Sequence, residues 1–274
     1  MDRKYFYLFH ECHRANIYTI FSFEFWKWRE YNLLVLSLFR QSCILFYGII
    51  SKSFASMMEI SISITMSYDP FAATFSKSRK NHPWPELDHI IADMQALGYT
   101  SVLDVGCGNG RFLEEAEKHG FHLDRYCGID SSSGMIAEAK KLHPENQFFV
   151  CDMLHLEDFY QDISGNQQFD ALLLLASFHH LETRAMRVQV LHDLRQFLSQ
   201  WGRVYMTNWN LREQPRYEKS HRGNGDYDIK IGEFSRYYHG FTLEELEELF
   251  SETGWSMPEN RVFEGGRNIV SVIF

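Results

Sequence analysis

A glycine-rich turn is the first stretch whose residue types could do chemistry. Asp104 and Val105 lead into the run GCGNG at 106–110, and a helical pattern begins directly at Arg111. Glycines permit positive φ and let a ligand approach the backbone, while the first N–H groups of a helix are available to bind it. A dinucleotide-binding GxGxxG turn would need its third glycine at position 111, so the spacing favours a ligand other than a pyrophosphate. A tight turn without a ligand is the alternative.

Two more acidic residues follow the next two predicted strands. Asp130 comes directly after the second strand, and Asp152 comes after the third. A carboxylate at such a strand end can accept hydrogen bonds from both ribose hydroxyls, and Asp152 with Met153 could receive an adenine. Each residue also has an ordinary interpretation, Asp130 and Ser131 as helix-capping residues and Asp152 as a solvated loop residue. Together with Asp104, acidic residues at three successive strand ends favour one nucleotide-like ligand.

Alternating strand and helix patterns place these residues at one edge of a sheet. The predicted strands are 101–105, 126–129, 148–150, 171–176 and 203–207, with helices between them, a capping box at Thr242 and Glu245, and a closing hairpin at 262–274. Repeated strand–helix units predict an α/β fold with a doubly wound, mainly parallel sheet. Ligands of such sheets bind outside the carboxyl ends of the strands.

Composition divides the chain near residue 65. The 274 residues carry a net charge of −9 and are 45% hydrophobic, which excludes a disordered or collagen-like chain. Five cysteines without a CxxC pair predict reduced thiols. Residues 1–65 have a net charge of +2 and hold 15 of the 43 aromatic residues, whereas residues 66–274 have a net charge of −11. We therefore predict an N-terminal extension over 1–65 and one domain over 66–274.

The extension has several possible interpretations. Its apolar stretch at 33–50 approaches the length of a membrane span, but Arg40 lies near the middle, where it costs about 2.5–3.5 kcal/mol on the insertion scale. An over-extended start upstream of Met66 is favoured, followed by a helical accessory hairpin or a membrane anchor, with a signal peptide least favoured. We expect no role at a membrane and a cytoplasmic location.

Four segments, taken in order, resemble the class I S-adenosylmethionine-dependent methyltransferases. They are VLDVGCGNGRFL at 102–113, YCGIDSSSGMIAEAK at 126–140, FFVCDMLHL at 148–156 and FDALLLLASFHHL at 169–181. The resemblance spans about residues 69–274. It implies an enzyme with a seven-stranded Rossmann-like methyltransferase sheet, no metal, and S-adenosyl-L-methionine as cofactor. The cofactor-binding residues it implies are Asp104, Gly106, Gly108, Gly110, Asp130, Ser131, Asp152 and Met153.

Further segments look like those of the wobble-uridine tRNA methyltransferases, which methylate 5-carboxymethyluridine on its carboxylate. These are FSKSR at 75–79, PWP at 83–85, His-His-Leu at 179–181 and Arg-Tyr-Tyr-His at 236–239. This resemblance implies tRNA as a partner, a small activator protein as a possible second partner, and His179, Arg236 and Tyr238 as candidate catalytic residues. A carboxylate is already an anion, so catalysis would rest on alignment and charge placement, with an arginine holding the acceptor. Tyr238 and Tyr237 could stack on an unpaired base, or pack against the sheet.

Two other functions remain open at this stage. A small-molecule class I methyltransferase would act on an acid or a phenol. A non-catalytic protein with the same fold would bind RNA or another protein. The insertion at about 209–240, which we place on the substrate side, has a net charge of +1. That balance fits an approaching RNA and a solvated loop equally well.

Overall fold

The computed structural model describes residues 84–157, 159, 168–232 and 234–274, all of which belong to the unit Ile64–Phe274. The predictions for residues 1–65, and the segment at 75–79 that carries part of the resemblance, lie outside the described residues. Within the described part of the chain, no helix has the length and apolar character needed to cross a membrane.

The described elements follow the predicted alternation. The α-helices are α1 Pro85–Ala96, α2 Arg111–Lys118, α3 Ser133–Leu142, α4 Arg184–Leu194 and α5 Leu243–Glu252. The strands are β1 Ser101–Val105, β2 Arg125–Asp130, β3 Gln147–Val150, β4 Phe169–Leu175, β5 Leu198–Trp209, β6 His221–Gly223, β7 Asp226–Ile231, β8 Phe234–His239, β9 Glu259–Val262 and β10 Asn268–Ile273. Short 3₁₀ turns cover Met153–His155, Phe178–His180 and Pro215–Ser220, among others.

Seven strands form one sheet in the order β3-β2-β1-β4-β5-β10-β9. The five strands from β3 to β5 are parallel to one another, and β10 is antiparallel to both β5 and β9. This confirms the predicted fold class. The strand order reverses between β1 and β4, and the crevice outside their carboxyl ends is where this kind of sheet binds ligands.

Apolar layers cover both faces of this sheet. Along β1, Leu103 and Val105 point to the layer formed with α4 and α5, whereas Val102 points to the layer formed with α1, α2 and α3. The central strands are therefore buried on both faces, as parallel strands between two helical layers must be. This burial fixes the strand ends, and with them the loops that carry the predicted site.

The insertion contains a second sheet, which the sequence analysis did not predict. Strands β6, β7 and β8 form a three-stranded antiparallel sheet with its own small apolar cluster of Leu211, Tyr227, Ile229 and Tyr238. Asp226 lies opposite His239 in this sheet. The alternative of a solvated loop is therefore wrong for this segment. Strand β7 does alternate polar and apolar residues, as Asp-Tyr-Asp-Ile-Lys-Ile at 226–231, which is the pattern of a half-buried strand.

Candidate functional site

The glycine turn after β1 lies over the end of β2. Gly106, Gly108 and Gly110 have φ values of +80°, +57° and +78°, which a residue with a side chain rarely adopts. The N–H groups of Gly106 and Cys107 donate to the carbonyl oxygen of Ile129 at 2.8 and 2.9 Å. Positive φ and these two bonds hold the turn in one conformation.

The three glycines have different neighbours. A Cβ on Gly106 would overlap the Cβ of Ser177 and lie 3.7 Å from the terminal methyl group of Met153. Gly106 therefore lies between the loops that follow β4 and β3. A Cβ on Gly110 would instead lie 2.9 Å from His143 and 3.1 Å from Phe148. Close packing against α3 and β3 thus explains a glycine at position 110 without a ligand.

Asp130 joins the end of β2 to the glycine turn. One carboxylate oxygen accepts the N–H of Gly108 at 2.9 Å, and the other accepts the N–H of Ser132 at 2.9 Å. The side chain of Ser132 caps α3 by accepting the N–H of Met135 at 3.2 Å. Ser131 is exposed beside them. The backbone thus fixes the orientation of the Asp130 carboxylate at the end of β2.

The loop after β3 places Asp152 and Met153 at the same edge of the sheet. Asp152 accepts the N–H of Leu154 at 3.0 Å and caps the 3₁₀ turn Met153–His155. Its carboxylate is exposed, while Met153 lies half-buried against the glycine turn. The structure therefore brings together the strand-end residues that the sequence placed in a single ligand site.

Asp104 lies beneath the turn and is only 2% exposed. Tyr126 donates its hydroxyl to one carboxylate oxygen at 2.8 Å. The other oxygen is buried and has no hydrogen-bond partner among the described residues. Burial raises the pKa of Asp104 to about 7, with a further contribution from Asp130, although the Tyr126 hydrogen bond opposes it. A buried carboxyl that lacks one hydrogen bond is suited to a cationic or hydrogen-bonding ligand.

The loop after β4 contacts the glycine turn at one end and carries His179 and His180 at the other. Ala176 has a φ of +54°, and its N–H is held by the carbonyl and hydroxyl oxygens of Thr207 at 3.0 Å. This unusual conformation turns the chain at the strand end. Beyond it, Ser177 donates to the carbonyl of Val105 at 2.8 Å on the glycine-turn side, and His179 and His180 continue toward β8.

The two histidines are fixed in opposite tautomers. The N–H of Trp209 donates to Nδ1 of His179 at 3.2 Å, so a neutral His179 carries its proton on Nε2. His180 places Nδ1 at 3.0 Å from the carbonyl oxygen of Tyr237, which can only accept, so His180 is protonated on Nδ1. Burial and the nearby Arg236 lower the pKa of both rings, that of His179 to about 3. Both histidines are therefore neutral at physiological pH.

Arg236 and Tyr238 share one face of β8, next to the histidines. The ring centroid of Tyr238 lies 4.5 Å from that of His180 and 4.9 Å from that of Trp209, almost parallel to the indole. Tyr238 is buried, so its ring supports the wall of the site and does not present an open face to a base. Half-buried Arg236 supplies positive charge beside both histidines.

Several residues of this region were missed by sequence reasoning. Ser177, Arg187, Asn208 and Trp209 belong to it only because distant strands meet there. Asn208 is fully buried in β5, and neither atom of its side-chain amide has a partner among the described residues. The sequence gives no local sign of this, because a polar residue at a strand end is ordinary.

Comparison with known proteins agrees with this arrangement. Residues 103–204 match a family model described as a methyltransferase domain. A tRNA (carboxymethyluridine(34)-5-O)-methyltransferase of Saccharomyces cerevisiae is 31% identical over 159 residues, which cover 57% of this chain and 51% of the relative. The protein of the same name from Schizosaccharomyces pombe is 25% identical over 219 residues, covering 70% of this chain and 88% of the relative. The chain thus spans about half the length of the first relative.

The fold has solved counterparts. The crystal structure of an S-adenosylmethionine-dependent methyltransferase from Clostridium acetobutylicum aligns with a TM-score of 0.55 at 15% identity, covering 75% of this chain and 98% of that one. The fold is shared with a solved member of the S-adenosylmethionine-dependent methyltransferase class, and residues 103–204 match the model of a methyltransferase domain. Within that class, the chain is similar to the two yeast tRNA methyltransferases. The resemblance found in the sequence is confirmed.

The described residues fit the cofactor of this class. A Cβ on Gly106 would overlap Ser177, so packing against the loop after β4 explains this glycine, and the fit to the cofactor rests on the carboxyl groups of the site. The unpartnered oxygen of Asp104 and the oriented carboxylate of Asp130 suit a ligand that carries both an amino cation and ribose hydroxyls.

Proposed function

We propose that this domain transfers a methyl group from S-adenosylmethionine to the carboxylate of a modified wobble uridine in tRNA. The observation that carries the proposal is the acceptor side of the crevice. It combines a cationic arginine, Arg236, with a buried N–H donor on His179 and two histidines that are neutral. Such a site attracts an anion, and the lowered pKa of the two histidines makes both imidazoles weak bases. The names of the yeast relatives support the same acceptor.

On the donor side, S-adenosylmethionine supplies an electrophilic methyl group on a positively charged sulfur. Asp130 would bind the ribose hydroxyls, because Gly108 and Ser132 already hold its carboxylate in place. Asp104 would pair with the amino cation, which would stabilise the ionised form of its buried carboxyl. Asp152 and Met153 would receive the adenine, with Ser131 at the exposed edge of the site.

On the acceptor side, catalysis would rest on alignment and electrostatics. A carboxylate is ionised at neutral pH, since its ordinary pKa lies near 4. The Arg236 guanidinium would bind it by a charge-assisted hydrogen bond. The Nε2–H of His179 would donate to the same anion and orient the attacking oxygen. Tyr238 would keep the two imidazoles in place by packing against them.

The domain has a net charge of −11, which opposes RNA binding, so RNA must be bound through a local group of positive side chains. The insertion at 209–240 has a net charge of +1, and its exposed side chains include Arg216, Lys219 and Arg222. This segment is where we expect the phosphate backbone to approach. A small activator protein, as the resemblance implies, would add further contacts. The proposed tRNA substrate agrees with the cytoplasmic location expected from the sequence.

The proposal is tested by offering total tRNA and a small-metabolite extract to the full chain with a methyl-labelled donor. We expect label in tRNA that mild alkali releases as methanol, because the product is a methyl ester. Arg236→Ala should abolish most of this incorporation, whereas Arg184→Ala should retain it, since Arg184 lies outside the insertion and forms an exposed ion pair with Glu252. Label only in metabolites would overturn the proposal in favour of a small acceptor. Failure to bind the donor would indicate a non-catalytic protein.

A further inference from the structure

The side chains on the two faces of β8 contact different parts of the structure. Side chains alternate along a strand, so Arg236 and Tyr238 face the histidines while Tyr237 and His239 face the opposite way. There, His239 is buried between two carboxylates. Its Nδ1 lies 2.9 Å from Asp226, and its Nε2 lies 2.8 Å from Glu245 of α5. The face of β8 that carries His239 is therefore bound to α5 through charged groups.

Arg187 of α4 connects this cluster to the histidine loop. Its guanidinium is buried and donates to the carbonyl oxygens of Leu181 and Glu182 at 3.1 and 3.3 Å. It also donates to the hydroxyl of Tyr237 at 3.2 Å and lies 3.4 Å from Glu245. One side chain thus holds the chain just after the histidines, β8 and α5.

Tyr237 forms hydrogen bonds through its side-chain hydroxyl and through its backbone carbonyl oxygen. Its hydroxyl donates to Asp226 at 2.6 Å while accepting from Arg187, and its backbone carbonyl accepts the Nδ1–H of His180 at 3.0 Å. Burial alone would raise the pKa of Asp226, but hydrogen bonds from Tyr237 and His239 bring it below its ordinary value. The carboxylate is therefore ionised and binds both donors strongly.

We propose that Arg187 and Tyr237 are positioning residues for the acceptor site, setting the separation between the histidine pair and Arg236 without touching the acceptor. The histidines belong to the loop after β4, and Arg236 belongs to an insertion some 55 residues further along the chain. A network of hydrogen bonds and ion pairs through Arg187, Tyr237, Asp226, His239 and Glu245, in which Arg187 and His239 are buried, links these two pieces directly. The identity of the acceptor rests on the proposed function, but the positioning role does not.

Tyr237→Phe is the appropriate perturbation. Removing Arg187 would leave a buried carboxylate without its cation and so endanger folding. The phenylalanine variant keeps the ring and the backbone carbonyl, and it loses only the hydroxyl. Asp228→Asn is the matched control, since Asp228 lies opposite Tyr237 in the same hairpin but forms only an exposed ion pair with Arg222.

In methyl transfer to tRNA, we expect Tyr237→Phe to lower kcat/KM by about tenfold, the size of one lost hydrogen bond to a charged group, while the Kd of S-adenosylmethionine changes by less than about twofold. Asp228→Asn should leave both quantities near their wild-type values. A parallel loss of donor and acceptor binding, or equal effects of the two variants, would overturn the proposal.

A spectroscopic measurement separates this proposal from the proposed function. Nitrogen-15 NMR of the histidine rings should show His180 protonated on Nδ1 and His179 protonated on Nε2, with assignments from His180→Asn. In Tyr237→Phe, the His180 signals should shift toward a tautomer mixture, because the carbonyl partner is no longer held in place. Unchanged ring signals would overturn the positioning role even in a protein that methylates no tRNA. Shifted signals in such a protein would support it while the proposed function failed.

Discussion

Gly106 is the position where the geometry of the donor site can be tested most directly. Gly106 and Gly98 have similar φ values, +80° and +70°. A Cβ on Gly98 would meet nothing within 4 Å, whereas a Cβ on Gly106 would overlap the Cβ of Ser177 and lie 3.0 Å from its hydroxyl. Alanine at either position suffers the same backbone strain. Only Gly106→Ala must also displace the loop after β4.

The expected magnitudes follow from these two contributions. Placing alanine in the left-handed region costs about 1–2 kcal/mol, and this applies to both variants. Overpacking adds about 1–3 kcal/mol at Gly106, because Ser177 is anchored to Val105 and cannot move freely. Gly98→Ala should therefore lose about 1–2 kcal/mol of unfolding free energy, and Gly106→Ala about 2–5 kcal/mol.

Thermal unfolding and calorimetric titration with S-adenosylmethionine measure the two effects separately. We expect Gly98→Ala to bind the donor like wild type. Gly106→Ala should bind at least about tenfold more weakly at a temperature where it is still folded, a change of about 1.4 kcal/mol. If the two alanine variants bound the donor equally well, Gly106 would be a turn residue only, and the donor would have to lie elsewhere.

Other residues of the site give further tests. Asp130→Asn should weaken donor binding in calorimetry and destabilise the glycine turn by about 1–3 kcal/mol, because the amide cannot accept from two backbone N–H groups at once; unchanged affinity would refute the ribose-binding role. The folded-state pKa of Asp104 is raised from 3.8 to about 7, so its contribution to stability is present at low pH and is lost as the pH rises through that interval. Asp104→Asn should therefore show a smaller decline in melting temperature between pH 4 and pH 7 than wild type, and identical pH profiles would contradict the assignment. His179→Gln, which keeps an N–H donor, should retain more methyl transfer than His179→Ala, and equal losses would argue against a donor role.

The donor side was predictable because its signals are local. A GxGxG run directly after an apolar strand requires a turn with positive φ, and acidic residues at strand ends reach the same edge once the strands are parallel. The structure places Asp130 and Asp152 at neighbouring strand ends, and their ligand-binding roles stay predictions. Gly110 shows the limit of such reasoning, because the ring of Phe148 against it belongs to a strand that comes 38 residues later.

The acceptor side was not predictable in the same way. The capping box at Thr242 is an example. The hydroxyl of Thr242 accepts the N–H of Glu245 at 3.1 Å, as the pattern requires. The Glu245 carboxylate, however, does not return to the helix start but binds His239 and Arg187. Long-range charge pairing overrode a local motif, and no spacing within the sequence encodes that choice.

The surroundings of the histidine pair bear on which methyl acceptor the site can use. A His-His-Leu motif at a strand end suggests acid–base catalysis, because an ordinary histidine titrates near neutral pH. Here burial lowers the pKa of both rings, which makes them weak bases, and two backbone groups from β5 and β8 fix which nitrogen carries each proton. A phenol or hydroxyl acceptor would need a base to become nucleophilic, whereas a carboxylate is already ionised. A site with two weakly basic histidines thus fits the proposed carboxylate acceptor, which needs no base.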